Sequence, residues 1–152
     1  MRSSSVRAAH SCLAVVVVVV VALTLGTTDA DDGARAAAQT FGRALVAGKA
    51  EALRPILPEH GKVHMTLSRL GPEEGSFGTR QVEAVFRDFL AKGTVVSFDV
   101  VRCESDGRRS ALAHGRATIT DRDGRGGRIA FHLGFETEGD RWVLREVKET
   151  AE

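Results

Sequence analysis

The chain has 152 residues, with 21 Lys and Arg against 20 Asp and Glu and a formal charge of +1. Such a balance lacks the basic surface that nucleic-acid binding needs in order to release counterions, so that class is excluded. The length suits one domain with a sizeable core, and the absence of any tyrosine removes one common polar group of active sites.

Arg2 and Arg7 precede an apolar run from Cys12 to Leu25, broken only by Thr24, which includes the valines Val15 to Val21. The run falls short of the roughly 20 residues that cross a bilayer and matches the core of a secretory signal. Thr28 and Ala30 supply small residues at the −3 and −1 positions of a cleavage site. The expectation is a signal peptide over residues 1–30, a mature domain over 31–152, and export to the periplasm or the extracellular space. The membrane is a partner only if this segment is kept as an anchor. Removal of Arg2, Arg7 and Asp29 takes 21 basic and 20 acidic residues to 19 of each. Cys12 goes with the leader, so no internal disulfide can form, and the remaining Cys103 reads as a small buried hydrophobe rather than a nucleophile.

In "DDGARAAAQTFGRALVAGKA" the residues Ala34, Ala37, Ala38, Phe41 and Leu45 recur at helical spacing, with Asp31 or Asp32 as cap and Gly48 as stop. "KAEALRPILPEH" predicts a second, shorter helix with Leu53, Ile56 and Leu57 on one side, its length limited by Pro55. In "KVHMTLSRL" the period changes to two, and Val63, Met65 and Leu67 form the buried face of a strand. "GPEEGSFG" reads as a turn-rich passage, after which Thr79 caps a third helix. Val82, Val85, Phe86, Phe89 and Leu90 make the apolar stripe of that helix, and Gly93 ends it. Four strands follow, "TVVSFDVVRC", "SALAHGRATIT", "RIAFHLGFET" and "RWVLREVKE", separated by turns short enough for an antiparallel meander.

Three helices and such a sheet satisfy one another only if the helices cover one sheet face. The expected fold class is therefore α+β, with three N-terminal helices packed on a curved, mainly antiparallel sheet. This order resembles the nuclear-transport-factor-2-like, or cystatin-like cone, superfamily, which includes SnoaL-like and ketosteroid-isomerase-like domains. Within it the chain most resembles a bacterial exported family of unknown function. The stretches that carry the resemblance are "FGRALVAGKAEAL", "GSFGTRQVEAVFRDFLAK" and "GDRWVLREVKE", and it extends over about residues 34 to 149. They are packing and turn patterns, not catalytic residues. The resemblance implies a cone closed at one end by the third helix, and commonly a homodimer through the sheet.

Proton-transfer enzymes of this superfamily need a carboxylate base in an apolar cavity and a donor for the oxyanion. Asp88 sits at the edge of the helical stripe, and Asp99 opposes Phe98 in its strand. Asp99 and His64 are the least unsuitable candidates, and no catalytic residue is assigned. His60 and His64 would chelate a metal on a helix, but the alternation around them argues for a strand. His114 and His132 can be cross-strand neighbours, yet two imidazoles without a third ligand make a weak site. No metal and no cofactor is expected.

Two readings remain. The first is a non-catalytic exported domain that binds a small apolar ligand or a protein partner. Its ligand pocket would be lined by Met65, Val82, Val85, Phe86, Phe89, Phe131, Leu133 and Phe135, with the third helix as a lid flexing at "GPEEGSFG". The second is a SnoaL-like or ketosteroid-isomerase-like enzyme acting on a small hydrophobic substrate. For the homodimer, the expected contact is the small, lightly charged face of Ala130, His132 and Gly134.

Overall fold

The computed structural model describes residues 28–68 and 73–152, so all but the last three residues of the predicted leader lie outside the described range. Helix α1 spans Thr28–Val46, and the expected cleavage point after Ala30 falls in its first turn. The two predicted caps are inside the helix. Asp31 instead accepts hydrogen bonds from the backbone N–H of Ser105 at 3.1 Å and its hydroxyl at 2.5 Å, which ties α1 to a distant strand. The helix ends as predicted. Gly48 takes φ 68°, open to glycine at little cost, and the N–H groups of Gly48 and Lys49 return to the carbonyls of Leu45 and Ala44.

The short second helix, Ala50–Ile56, is a 3-10 helix that contains Pro55. Its tighter winding suits a segment of two turns in which proline has removed a donor. Strand β1 (Val63–Leu67) buries Val63, Met65 and Leu67, and exposes His64.

The passage expected to be turn-rich holds a strand. Residues Glu73–Phe77 form β2, antiparallel to β1 with Val63 opposite Phe77 and Leu67 opposite Glu73. "EEGSF" has no apolar alternation that could signal a strand. The free edge of β1 imposes the extended form, because backbone pairing satisfies groups that a bare edge leaves open.

Helix α2 (Thr79–Lys92) is capped by Gly78, not Thr79. The Gly78 carbonyl accepts from the N–H groups of Gln81 and Val82, and its own N–H donates to Oε1 of Gln81 at 2.9 Å. Thr79 is the first helical residue, and its hydroxyl donates to the Pro58 carbonyl at 2.6 Å. Gly93 follows in an extended conformation, φ −172°, so it is not a left-handed stop. Glycine is favoured there by crowding, since a Cβ would lie 2.7 Å from the Thr120 carbonyl oxygen.

Strands β3 (Gly93–Ser105), β4 (Ser110–Asp121), β5 (Gly126–Glu138) and β6 (Arg141–Ala151) form the predicted antiparallel meander. Its three turns each contain a left-handed glycine, Gly107, Gly124 and Gly139. Strand β1 then joins β6 in parallel, with Met65 opposite Val147, and the six-stranded order is β2-β1-β6-β5-β4-β3. The α+β class is as expected. The sheet is mixed, and the helical layer is two α-helices and a 3-10 helix.

Phe41 of α1 stands at the centre of the core. Its ring meets those of Phe86, Phe98 and Phe131 edge-on, at centroid distances of 5.4, 5.7 and 5.5 Å. Such edge contacts add to the area that the rings bury. Phe98 enters only because two facing positions are glycine, Gly42 on α1 and Gly115 on β4, where a Cβ would collide with its ring.

Candidate functional site

The eight residues expected to line a ligand pocket are brought together. Met65, Val82, Phe86, Phe131, Leu133, Phe135 and Phe89 are buried members of one core cluster, and Val85 packs against it half-buried. The space between α2 and the sheet also receives Phe41, whose ring touches rings from both sides. These residues therefore pack on one another and on α1. A small cleft of about 270 Å³ lies at the C-terminal end of α2, lined by Phe89, Lys92, Gly93, Thr94, Ile119, Thr120 and Asp121. Phe89 alone among the eight expected residues reaches it. The segment expected to flex beneath a lid is in part β2.

The sequence-derived acid and base candidates do not converge. Asp88, Asp99, His60 and His64 are all exposed. Asp99 lies opposite Arg116 on the sheet face away from the helices, as the placement of Phe98 requires. Cys103 is half-buried on the helix side, and burial pushes its thiol pKa up, away from the reactive thiolate.

Two carboxylates that sequence reasoning passed over are buried, Glu83 and Glu149, at 6% and 3% exposure. Glu83 on α2 is held by Arg54 of the 3-10 helix in a two-point contact, Nε to Oε1 at 2.7 Å and Nη2 to Oε2 at 3.1 Å. The hydrogen bond from Arg54 keeps the Glu83 carboxyl below its usual range, against the opposing effect of burial. Its role is to pin the 3-10 helix to α2. Glu149 is on β6, opposite Phe131. Its strand parity is that of the covered face, and it is not without an interaction partner. The signal for it was present, because Glu149 shares the strand parity of the buried Val147.

Glu59, His60 and Glu138 offer ligand atoms within 4.8 Å of one another. Arginines already occupy this cluster. Arg145 donates to Glu138 at 3.0 Å and to the His60 carbonyl at 2.7 Å, while Arg141 approaches Glu59 at 3.2 Å. A cation would have to displace two guanidinium groups, so the donor set reads as a latch holding the 57–62 segment to β6.

On the open sheet face, His114 and His132 are direct cross-strand partners. Their rings meet edge-to-face with centroids 4.4 Å apart. Burial, then His114, then Lys148 lower the pKa of His132, and Glu146 acts weakly against them. Ala130 and Gly134 flank His132 on the same face, half-buried.

A mixed sheet with one face covered by these helices is the nuclear-transport-factor-2-like fold, and the chain has that fold. Among solved structures it is similar to a ketosteroid isomerase-like protein from Erwinia carotovora atroseptica, with a TM-score of 0.62 at 12% identity, covering 80% of this chain and 95% of that one. A putative isomerase from Bacillus subtilis gives a TM-score of 0.62 at 12% identity over 78% of this chain and 85% of that one. A DUF4783 family protein from Bacteroides uniformis gives 0.60 at 14% identity over 75% and 95%. No family model matches the sequence, and no curated protein sequence matches it.

Proposed function

We propose that the chain is an exported, non-catalytic domain that works by protein association, with the open face of its sheet taking up a second copy. The observation that supports this reading is the packing of Phe41 against Phe86 and Phe131, which brings α1 into the space between α2 and the sheet. The apolar cleft at the end of α2 is about 270 Å³, just below the usual range for ligand pockets, and the larger cleft of about 550 Å³ between α1 and β3 carries Arg35, Gln39, Arg43 and Asp99 in its lining. The open face instead offers Leu112 at 42% exposure beside Gly134, with Ala130 on the same face across His132, and these small residues let two sheets approach closely. A two-fold, self-complementary contact is the ordinary form for such a pair. Sedimentation of the mature protein at roughly 50 µM should give a dimer, and Ala130→Arg should give a monomer with an unchanged circular dichroism spectrum. Monomer in both cases overturns the reading.

Glu149 supports a second reading, an isomerase-like enzyme of the kind named among the similar structures. Glu149 is a carboxylate buried opposite Phe131, and a carboxylate is the group a proton-transfer base requires. Turnover of a small hydrophobic ketone that disappears in Glu149→Gln, while the fold is kept, would establish it over the first.

A further inference from the structure

The pairing register of the open face arranges its charges in rows that run across the strands. One row is Arg102, His114, His132 and Lys148, each opposite the next on β3, β4, β5 and β6. Two residues further along each strand is a parallel row of Glu104, Leu112, Gly134 and Glu146. The first row is cationic at its ends and imidazole in the middle. The second is acidic at its ends and uncharged in the middle. The rows are roughly 7 Å apart, the repeat of two residues in a strand.

A two-fold axis lying in the interface between these rows sets each over the other. Arg102 then meets Glu104 of the second copy, Lys148 meets Glu146, and the histidine pair covers Leu112 and Gly134. Opposite charges face one another at both ends, and the middle is sealed by the exposed Leu112 against rings. Arg102 already donates to Glu104 within its own chain at 2.5 Å, so the contact would complete a network of four charges. No carboxylate of the acidic row remains for the imidazoles.

We propose that this sheet-to-sheet contact is gated by protons, with the two copies joined while His114 and His132 are neutral and parted when they become charged. The inference rests on the association proposed above and adds its control. The groups around His132 are His114 and Arg116 on β4, Lys148 and Glu146 on β6, with Arg102 and Glu104 beyond His114 on β3 and His64 beyond Glu146 on β1. Arg116 is paired with Glu152 and stands opposite Asp99, so Lys148, directly opposite His132, is its nearest uncompensated cation, and Glu146 is opposed by Lys148 across the contact. A protonated pair would lie in line between Arg102 and Lys148, giving four positive groups in one row.

The direction follows from linkage. His132 binds its proton more weakly than an ordinary imidazole of pKa 6.5, first because of burial. Association removes more water and lowers that affinity further, so protons prefer the separated copies. Assembly is complete above the ordinary histidine pKa and is lost as the pH falls through the window below it.

The test is sedimentation of the mature wild-type protein at about pH 7.5 and about pH 5.5, with circular dichroism at both to follow folding. The dimer dissociation constant should rise by about 10-fold or more at the lower pH, with the fold intact. The double variant His114→Gln, His132→Gln should stay dimeric at both values. A wild-type dimer indifferent to pH but broken by Ala130→Arg would overturn the gating and leave the association standing. Acid dissociation that persists in the double variant overturns the assignment to the histidines. Monomer at both values overturns the association and the gating together.

Discussion

The two faces of the sheet are built from alternate residues of the same four strands, yet they obey different rules. On β5, Ile129, Phe131, Leu133 and Phe135 are fully buried under the helices, while Ala130, His132 and Gly134 between them are only half-buried. The covered face is packed by shape. Phe98 reaches the core only through the gap left by Gly42 and Gly115, and Gly33 is as tightly matched to Trp142, whose Nε1 would lie 2.7 Å from an added Cβ. The open face is organised by charge and register, in rows that the pairing alone defines. Stability therefore belongs to one face, and the proposed association to the other. Substitutions can break that division of labour.

The largest effect should come from the covered face. Phe86→Ala or Phe41→Ala removes a fully buried ring from a cluster of edge contacts and should cost about 3–5 kcal/mol in urea unfolding. A loss below about 1 kcal/mol would mean that the ring borders an open pocket, and the contrast between the faces would collapse. Next comes overpacking. Gly115→Ala drives a methyl group into the Phe98 ring and should cost about 1–3 kcal/mol, although the added group is the smallest side chain available.

A smaller effect is expected where the covered layer meets solvent. The Glu83 carboxyl titrates below 4.5 because Arg54 bonds its ionised form. A depressed carboxyl contributes stability that is present above its unfolded pKa and is lost as the pH falls through the folded one. The melting temperature should thus fall on acidification below about pH 5, and Glu83→Gln should flatten that fall while lowering the melting temperature at neutral pH. Since Arg54 is 67% exposed, solvent weakens the pair and keeps the change modest. An unchanged pH profile in Glu83→Gln would show that the clamp does not act.

The smallest effects belong to the open face. Asp99→Asn and His64→Ala alter exposed positions and should each shift stability by no more than about 0.5 kcal/mol. A shift above about 1 kcal/mol in either would mean that this face is packed in the folded chain.

Much of the architecture was legible in order. Helical spacing from Ala34 to Leu45, the stripe from Val82 to Leu90 and the alternation from Ile129 to Phe135 each reflect burial of one side, and burial is what periodicity records. The turns could be read for a similar reason, because Gly107, Gly124 and Gly139 occupy backbone conformations that other residues resist. The lone Phe98 and the exposed Asp99 followed from strand parity.

What tertiary structure decided lies where the cause is a distant partner. Strand β2 exists because β1 offers it an edge, and "EEGSF" carries no trace of that in its own pattern. Gly78 caps α2 because Gln81 turns back to it and Thr79 is drawn away by the Pro58 carbonyl. The buried carboxylates show the same division. Parity could place Glu149 on the covered face, but only the fold brings Arg54 across 29 residues to make Glu83 tolerable there. The open face is the clearest case. Its rows depend on which residue of one strand stands opposite which residue of the next, and register is set by all the strands together. Local periodicity tells a residue which way to face, and only the assembled sheet tells it what it faces.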